Sequence, residues 1–146
     1  MRLVWLRTGL ILLTAVQGGL GLWTQFFPRS FYDDVPTVDA YPPFSEHVLR
    51  DFGGATLGIA VALGAAAIYL ERRLVVTALL GYLAFAVPHL VFHLGHLDHM
   101  PTGDALFLAV SLVVMTVLPL PLLLLARRST AHGKRNPVGG QAHGAP

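Results

Sequence analysis

The sequence predicts an all-α fold, a polytopic membrane four-helix bundle with N and C termini cytoplasmic. Three observations predict it. Of 146 residues, 54% are hydrophobic and only 12% charged, where a soluble domain is about a quarter charged; mean hydropathy is +0.62. Four stretches free of Asp, Glu, Lys and Arg are each long enough to cross roughly 30 Å of hydrocarbon. Finally, eight basic residues fall on one side of those stretches and two on the other, the asymmetry of a membrane protein with its positive side in the cytoplasm.

Taken in order, the first stretch is Thr8–Pro28. Arg2 and Arg7 precede it as they would a signal peptide, but no convincing small-x-small cleavage site follows. Gly18, Gly19 and Trp23 continue the apolar run, so a retained span is expected. Residues 29–45 form the one long outer loop. Phe31, Tyr32, Pro36, Tyr41, Pro42, Pro43 and Phe44 make it Pro-rich and aromatic, a composition that predicts a structured cap at the interface.

The second charge-free stretch is Phe52–Leu70, within a span expected from about residue 48. Ser45 is placed to cap it, and Phe44 and Leu49 have the spacing of a hydrophobic staple. Gly54, Gly58, Ala62 and Ala66 recur every fourth residue, and such small residues let helices approach closely in lipid. Asp51, Arg50 and His47 extend the same face by steps of three and four. The polar head of this span is therefore expected to point toward its neighbours. Ala15 and Gly19 make a shorter version on the first span.

A short turn at Glu71–Arg73 joins the second span to the third, Leu74–Leu97, so these two are antiparallel neighbours. Pro88 lacks an N–H and predicts a kink below His89. The fourth span is Ala105–Ala126, with Pro119 and Pro121 expected to distort its cytoplasmic end. Residues 1–128 make one domain. The Gly-, Pro- and polar-rich tail 129–146 is expected to be disordered.

The acids segregate opposite to the bases: Asp33, Asp34, Asp39, Glu46, Asp51, Asp98 and Asp104 lie outside, and Glu71 alone inside. Acidic residues have little say in topology, so function on the outer face is the candidate explanation. Several classes are excluded. Cysteine is absent, which removes disulfides and thiolate chemistry. The basic pI near 9.4 does not mark nucleic acid binding, because the charges sit at span ends and form no binding face. The partners expected are the lipid bilayer of the cell membrane and a second copy or membrane-complex subunit.

Chemistry concentrates in PHLVFHLGHLDH, residues 88–99. His89, His93 and His96 fall within roughly 60° of one another on a helix. Imidazoles are rare at membrane depth and mark functional sites there. With Glu46, His47 and Asp51 at the head of the second span, they form a candidate transition-metal site. Two imidazoles at i and i+4 can chelate one ion, and a carboxylate or His47 can complete the shell. Neutral imidazole with carboxylate suits Zn²⁺, Cu²⁺ or Fe²⁺. His89 to His96 spans a rise of about 10.5 Å, so one ion cannot hold all three, and a dinuclear site or a supporting histidine follows. Haem b, with His47 and His89 or His93 as axial pair, is another reading.

The bland alternative is a hydrogen-bond and ion-pair network that fixes helix packing, with Arg50 pairing Asp51 or Glu46. Under it the protein is a non-enzymatic subunit or packing module. Asp98 and His99 rank lower, because the first points away from the stripe and the second lies at its margin. His132 and His143 belong to the tail. Nucleophilic catalysis finds no motif around Ser45 or Ser111.

The segments FPRSFYDDV, EHVLRDFGG and PHLVFHLGHL resemble those of a group of small, uncharacterised actinobacterial four-helix membrane proteins. More loosely, the R-D-x-G-G start of the second span is similar to that of DoxX-like membrane proteins. The resemblance covers roughly residues 20–97 and implies a four-helix fold. DoxX-type proteins are associated in some cases with quinone-linked redox chemistry, and the histidine stripe departs from their pattern.

Overall fold

Long apolar runs in lipid must satisfy their backbone groups internally, which leaves the helix as the economical solution. The computed structural model describes residues 1–39, 43–98 and 100–128. Among these residues, six helices run in the order α1 (Arg2–Phe26), α2 (Pro28–Asp34), α3 (Glu46–Tyr69), α4 (Arg72–Leu94), α5 (Thr102–Val117) and α6 (Pro119–Arg128). Four segments of the described residues are long and apolar enough to cross a membrane: α1, α3, α4 and the α5–α6 pair. The expected tail, with His132 and His143, and also His99, lie outside the described residues.

The local signals act as the residues dictate. Ser45 caps α3, its hydroxyl accepting the Val48 N–H at 3.5 Å. Phe44 stacks edge-on against Tyr32 and lies under the Arg29 guanidinium. The turn between α3 and α4 is Leu70–Glu71, with Leu70 in the left-handed conformation at φ 51°. Helix α4 runs through Pro88 without ending. Pro119 does interrupt the fourth span, dividing it into α5 and α6. Having no N–H, Pro119 leaves the Met115 carbonyl without its helical partner. The Tyr82 hydroxyl of α4 donates to that carbonyl at 3.2 Å, so the break is repaired by a tether between helices.

Helix α2 makes the loop a folded cap. Trp23 meets Phe31 edge to face at 5.5 Å and donates its indole N–H to Ser30 at 3.1 Å. Arg29 pairs with Asp33 at 2.7 Å, and Ser30 donates to Asp34.

The closest helix pair is α1 with α3, antiparallel. A Cβ on Gly53 would lie 2.7 Å from the backbone nitrogen of Gln25, and one on Gly21 would lie 3.0 Å from that of Leu57. Arginines tie the two ends. Arg50 of α3 donates to the Gln25 carbonyl near the C-terminus of α1, and Arg7 of α1 donates to the Ala67 carbonyl near that of α3 at 3.2 Å. In both cases a cation meets the carbonyl end of a helix.

The expected packing stripe is corrected here. Gly54 and Gly58 are exposed, and nothing lies within 4 Å of a Cβ on Gly58. The buried face runs one residue earlier, through Gly53, Thr56, Ala60, Leu63 and Ala67. A stripe of period four drifts about 40° per step around a helix, so the row from Gly54 begins exposed and reaches the interior only at Ala66. Steps alternating three and four, as in the observed face, stay in register.

At the end where α3 turns into α4, the bundle is closed by a dry core of Leu6, Leu10, Leu13, Leu63, Val75 and Leu79 with Leu122 and Leu123 of α6. Toward the cap end the packing loosens on the α5 side alone: α5 packs chiefly on α4 and has no buried residue.

Candidate functional site

The rotation of α3 decides what the predicted ligands can do. His47 and Asp51 share the exposed face with Gly54 and Gly58, and they pair with each other at 3.3 Å. Glu46 pairs with Arg50 at 2.8 Å, one of the two pairings expected of a structural network. The expectation that His47 and Asp51 face the interior is therefore corrected, since they share the drifting row of Gly54. Such exposed pairs contribute little to stability.

On α4 the histidines are organised by aromatic rings. Phe85 stacks on His89 at 5.1 Å between centroids, and Phe52 of α3 approaches the same ring at 6.3 Å. His89 and His93 lie edge to face at 4.5 Å. His96 sits beyond the end of α4, where its Nδ1 donates to the Phe92 carbonyl at 2.7 Å and its ring stacks on Phe92 at 4.3 Å. That carbonyl, in the last turn, also accepts the Gly95 N–H at 3.2 Å, so His96 adds a second, side-chain bond at the helix end. Of Glu46, His47, Asp51, His89, His93 and His96, the structure brings together His89 with His93, and each acid with a base of its own helix. Among the described residues, no group of three His, Asp or Glu is arranged to hold a metal ion.

Sequence reasoning missed what lies beneath His89. A cavity of about 80 Å³ is lined by Val16, Gln17 and Leu20 of α1, Phe52 of α3, Tyr82, Phe85, Ala86 and His89 of α4, and Leu112, Met115 and Thr116 of α5. It occupies the loosely packed side of the bundle, where α5 faces α1. Gln17 is 5% exposed, and its Oε1 is buried with no hydrogen-bond partner. Its side chain lies beside the Tyr82 hydroxyl, which is itself committed to Met115. Leaving an amide oxygen buried and unmatched costs roughly 1–3 kcal/mol; Gln17, with His89, Thr116 and Tyr82, is the polar minority in a mostly apolar chamber lining. A neutral amide within an apolar span was the available signal, overlooked beside the more conspicuous imidazoles.

Comparison of the chain with protein families, curated proteins and solved structures yields no match. The site's own chemistry therefore carries the functional argument.

Proposed function

We propose that this membrane protein binds a lipid-soluble small molecule in a side cleft between α1 and α5, with the cap end outside the cell and both termini in the cytoplasm. The single observation that carries the reading is the cavity itself, where Gln17, Tyr82, His89 and Thr116 interrupt an apolar and aromatic wall that includes Phe52 and Phe85. Pockets of this make-up, apolar and aromatic with a few polar groups, are the usual form of small-molecule sites. Access supports it too: α5 buries no residue, so the cleft it borders is the weakest seam of the bundle. The direction of insertion rests on the eight-to-two asymmetry of basic residues.

Native mass spectrometry of protein released from membranes in mild detergent tests this reading. Wild-type chain is expected to retain a small molecule of defined mass. Ala86→Phe, which fills the cavity from its α4 wall, is expected to be bare. A wild-type chain that is equally bare, or a variant that keeps the same adduct, overturns the proposal.

A second reading, metal binding, is favoured by the adjacency of His89 and His93 alone. Two imidazoles one turn apart can hold Zn²⁺, Cu²⁺ or Fe²⁺, with the remaining ligands supplied from outside the chain. Elemental analysis should then find about one ion per chain, lost in the His89→Ala/His93→Ala double variant. Purified wild type without metal that also takes up none when Zn²⁺ is added assigns the pair to aromatic packing instead.

A further inference from the structure

We infer that the outward face of α3 is the interface for a second copy of this chain, the two α3 helices crossing at Gly54 and Gly58 about a two-fold axis along the membrane normal.

The face is built as a seam. His47, Asp51, Gly54, Gly58, Val61 and Ala65 follow one another at alternating steps of four and three, and all but the half-buried Ala65 are exposed. Exposed Ile68 continues the row. That alternation holds a row in register along a helix, as packing one helix lengthwise on another requires.

Neither glycine is explained within one copy. Gly53 and Gly21 let α1 and α3 touch, but a Cβ on Gly58 would meet nothing within 4 Å, and one on Gly54 only Gln25 Oε1 at 3.7 Å. Glycine is the poorest helix former after proline. Two of them one turn apart weaken the isolated helix and relieve no clash inside it. What they leave is bare backbone, the surface that lets a second helix approach closely in lipid. Gly19 of α1 and Gly81 of α4 are as open, but neither lies on a row that ends in a pair of opposite charge. Beside the α3 row runs an open groove of about 480 Å³, lined by Gly18 of α1 and by Ala60 and Gly64 of α3. Val61, Ala65 and Ile68 also line it, so row and groove form one surface with a depression that side chains of a neighbour can enter.

Charge names that neighbour. Identical chains insert into a membrane in the same direction, so α3 meets α3 in parallel and each residue stands level with its own copy. A surface that pairs with itself must be self-complementary. His47 and Asp51 meet this condition, since they lie one turn apart on the seam and pair at 3.3 Å within one copy. Two copies bring together two imidazoles and two carboxylates, and each imidazole then has a carboxylate on its own helix and another on the facing one. A face made for a partner of different sequence could carry one sign alone; this one carries both in equal number.

The experiment uses full-length protein in lipid vesicles. The chain has no cysteine, so a single introduced cysteine reports proximity without background. Under mild oxidation Val61→Cys is expected to give crosslinked dimer, and Val110→Cys, an exposed position of α5, little. Dimer affinity is read from energy transfer between labelled copies on dilution with lipid. Gly58→Ile is expected to weaken it at least about tenfold. Because that side chain meets nothing in its own copy, the variant should keep the secondary structure of wild type. His47→Asp, which gathers four carboxylates, is expected to weaken it about two- to fivefold, and the exchange His47→Asp/Asp51→His to restore it. A monomeric wild type would assign the face to lipid or to a different subunit and overturns the inference. Equal crosslinking at the two cysteines, a dimer indifferent to Gly58→Ile, or an exchange variant as weak as His47→Asp overturns it too. Neither row nor groove borders the cavity under His89, so the pocket and the interface can fail separately.

Discussion

Gly53→Ala is expected to destabilise the bundle by roughly 2 kcal/mol or more, whereas Gly54→Ala, the adjacent residue, is expected to be neutral or stabilising by up to about 1 kcal/mol. The difference lies in what each new methyl meets. At Gly53 it would come within 2.7 Å of the Gln25 backbone nitrogen and within 2.7 Å of Thr24 Oγ1, with Gln25 Cα at 3.0 Å. Backbone atoms cannot rotate aside as a side chain can, so α1 and α3 must separate. That separation also lengthens the Arg50 bond to the Gln25 carbonyl and the Arg7 bond to the Ala67 carbonyl, which hold the two ends of the same interface. At Gly54 the nearest neighbour is Gln25 Oε1 at 3.7 Å, an ordinary contact. There the alanine keeps only its advantage of a stiffer unfolded chain. Reversible unfolding in mixed micelles, run on both variants beside wild type, reads the contrast. Equal effects would mean that the two helices do not cross at Gly53.

The same pair of glycines shows what a sequence reader can and cannot extract. Four spans, the Ser45 cap, the tight turn after Tyr69 and the break at Pro119 each depend on residues close in sequence, so local chemistry sufficed to place them. Which side of α3 faces α1 depends on rotation. A row of small residues at period four and a face at alternating three and four differ by one position at the cap end and converge only at Ala66. That one-position error carried His47 and Asp51 toward the histidines on paper, when in the fold they lie on the outside of the bundle.

The candidate site was legible in the same partial way. Residue type alone singled out His89 and His93, and the structure does seat them together. What it seats against them is Phe52 and Phe85, with Gln17 and Tyr82 bordering the chamber below. Neutral polar and aromatic residues are so common in membrane spans that no spacing marked them. Their meaning depends on α1, α4 and α5 meeting around one cavity, and no periodicity within a single helix encodes that meeting.

Tyr82→Ala is expected to cost about 3–5 kcal/mol and to loosen α5, while Tyr82→Phe is expected to cost only about 1 kcal/mol. Tyr82 is 2% exposed and belongs to the apolar core, so truncation leaves a void continuous with the cavity it already lines. Its hydroxyl has a second task. Pro119 strips the Met115 carbonyl of its helical donor, and Tyr82 replaces that donor from across the interface. Phenylalanine keeps the ring and gives up the bond, which isolates the tether from the packing. Because α5 buries no residue of its own, the tether is a large part of what fixes its position beside α4. Hydrogen exchange at the amides of residues 112–118 should therefore rise in Tyr82→Phe beyond what its small loss of global stability accounts for. The amides of α1 facing α3 should be unchanged. Faster exchange spread evenly over all four spans would show that Tyr82 acts on the bundle as a whole, and that α5 is not a separately held wall of the pocket.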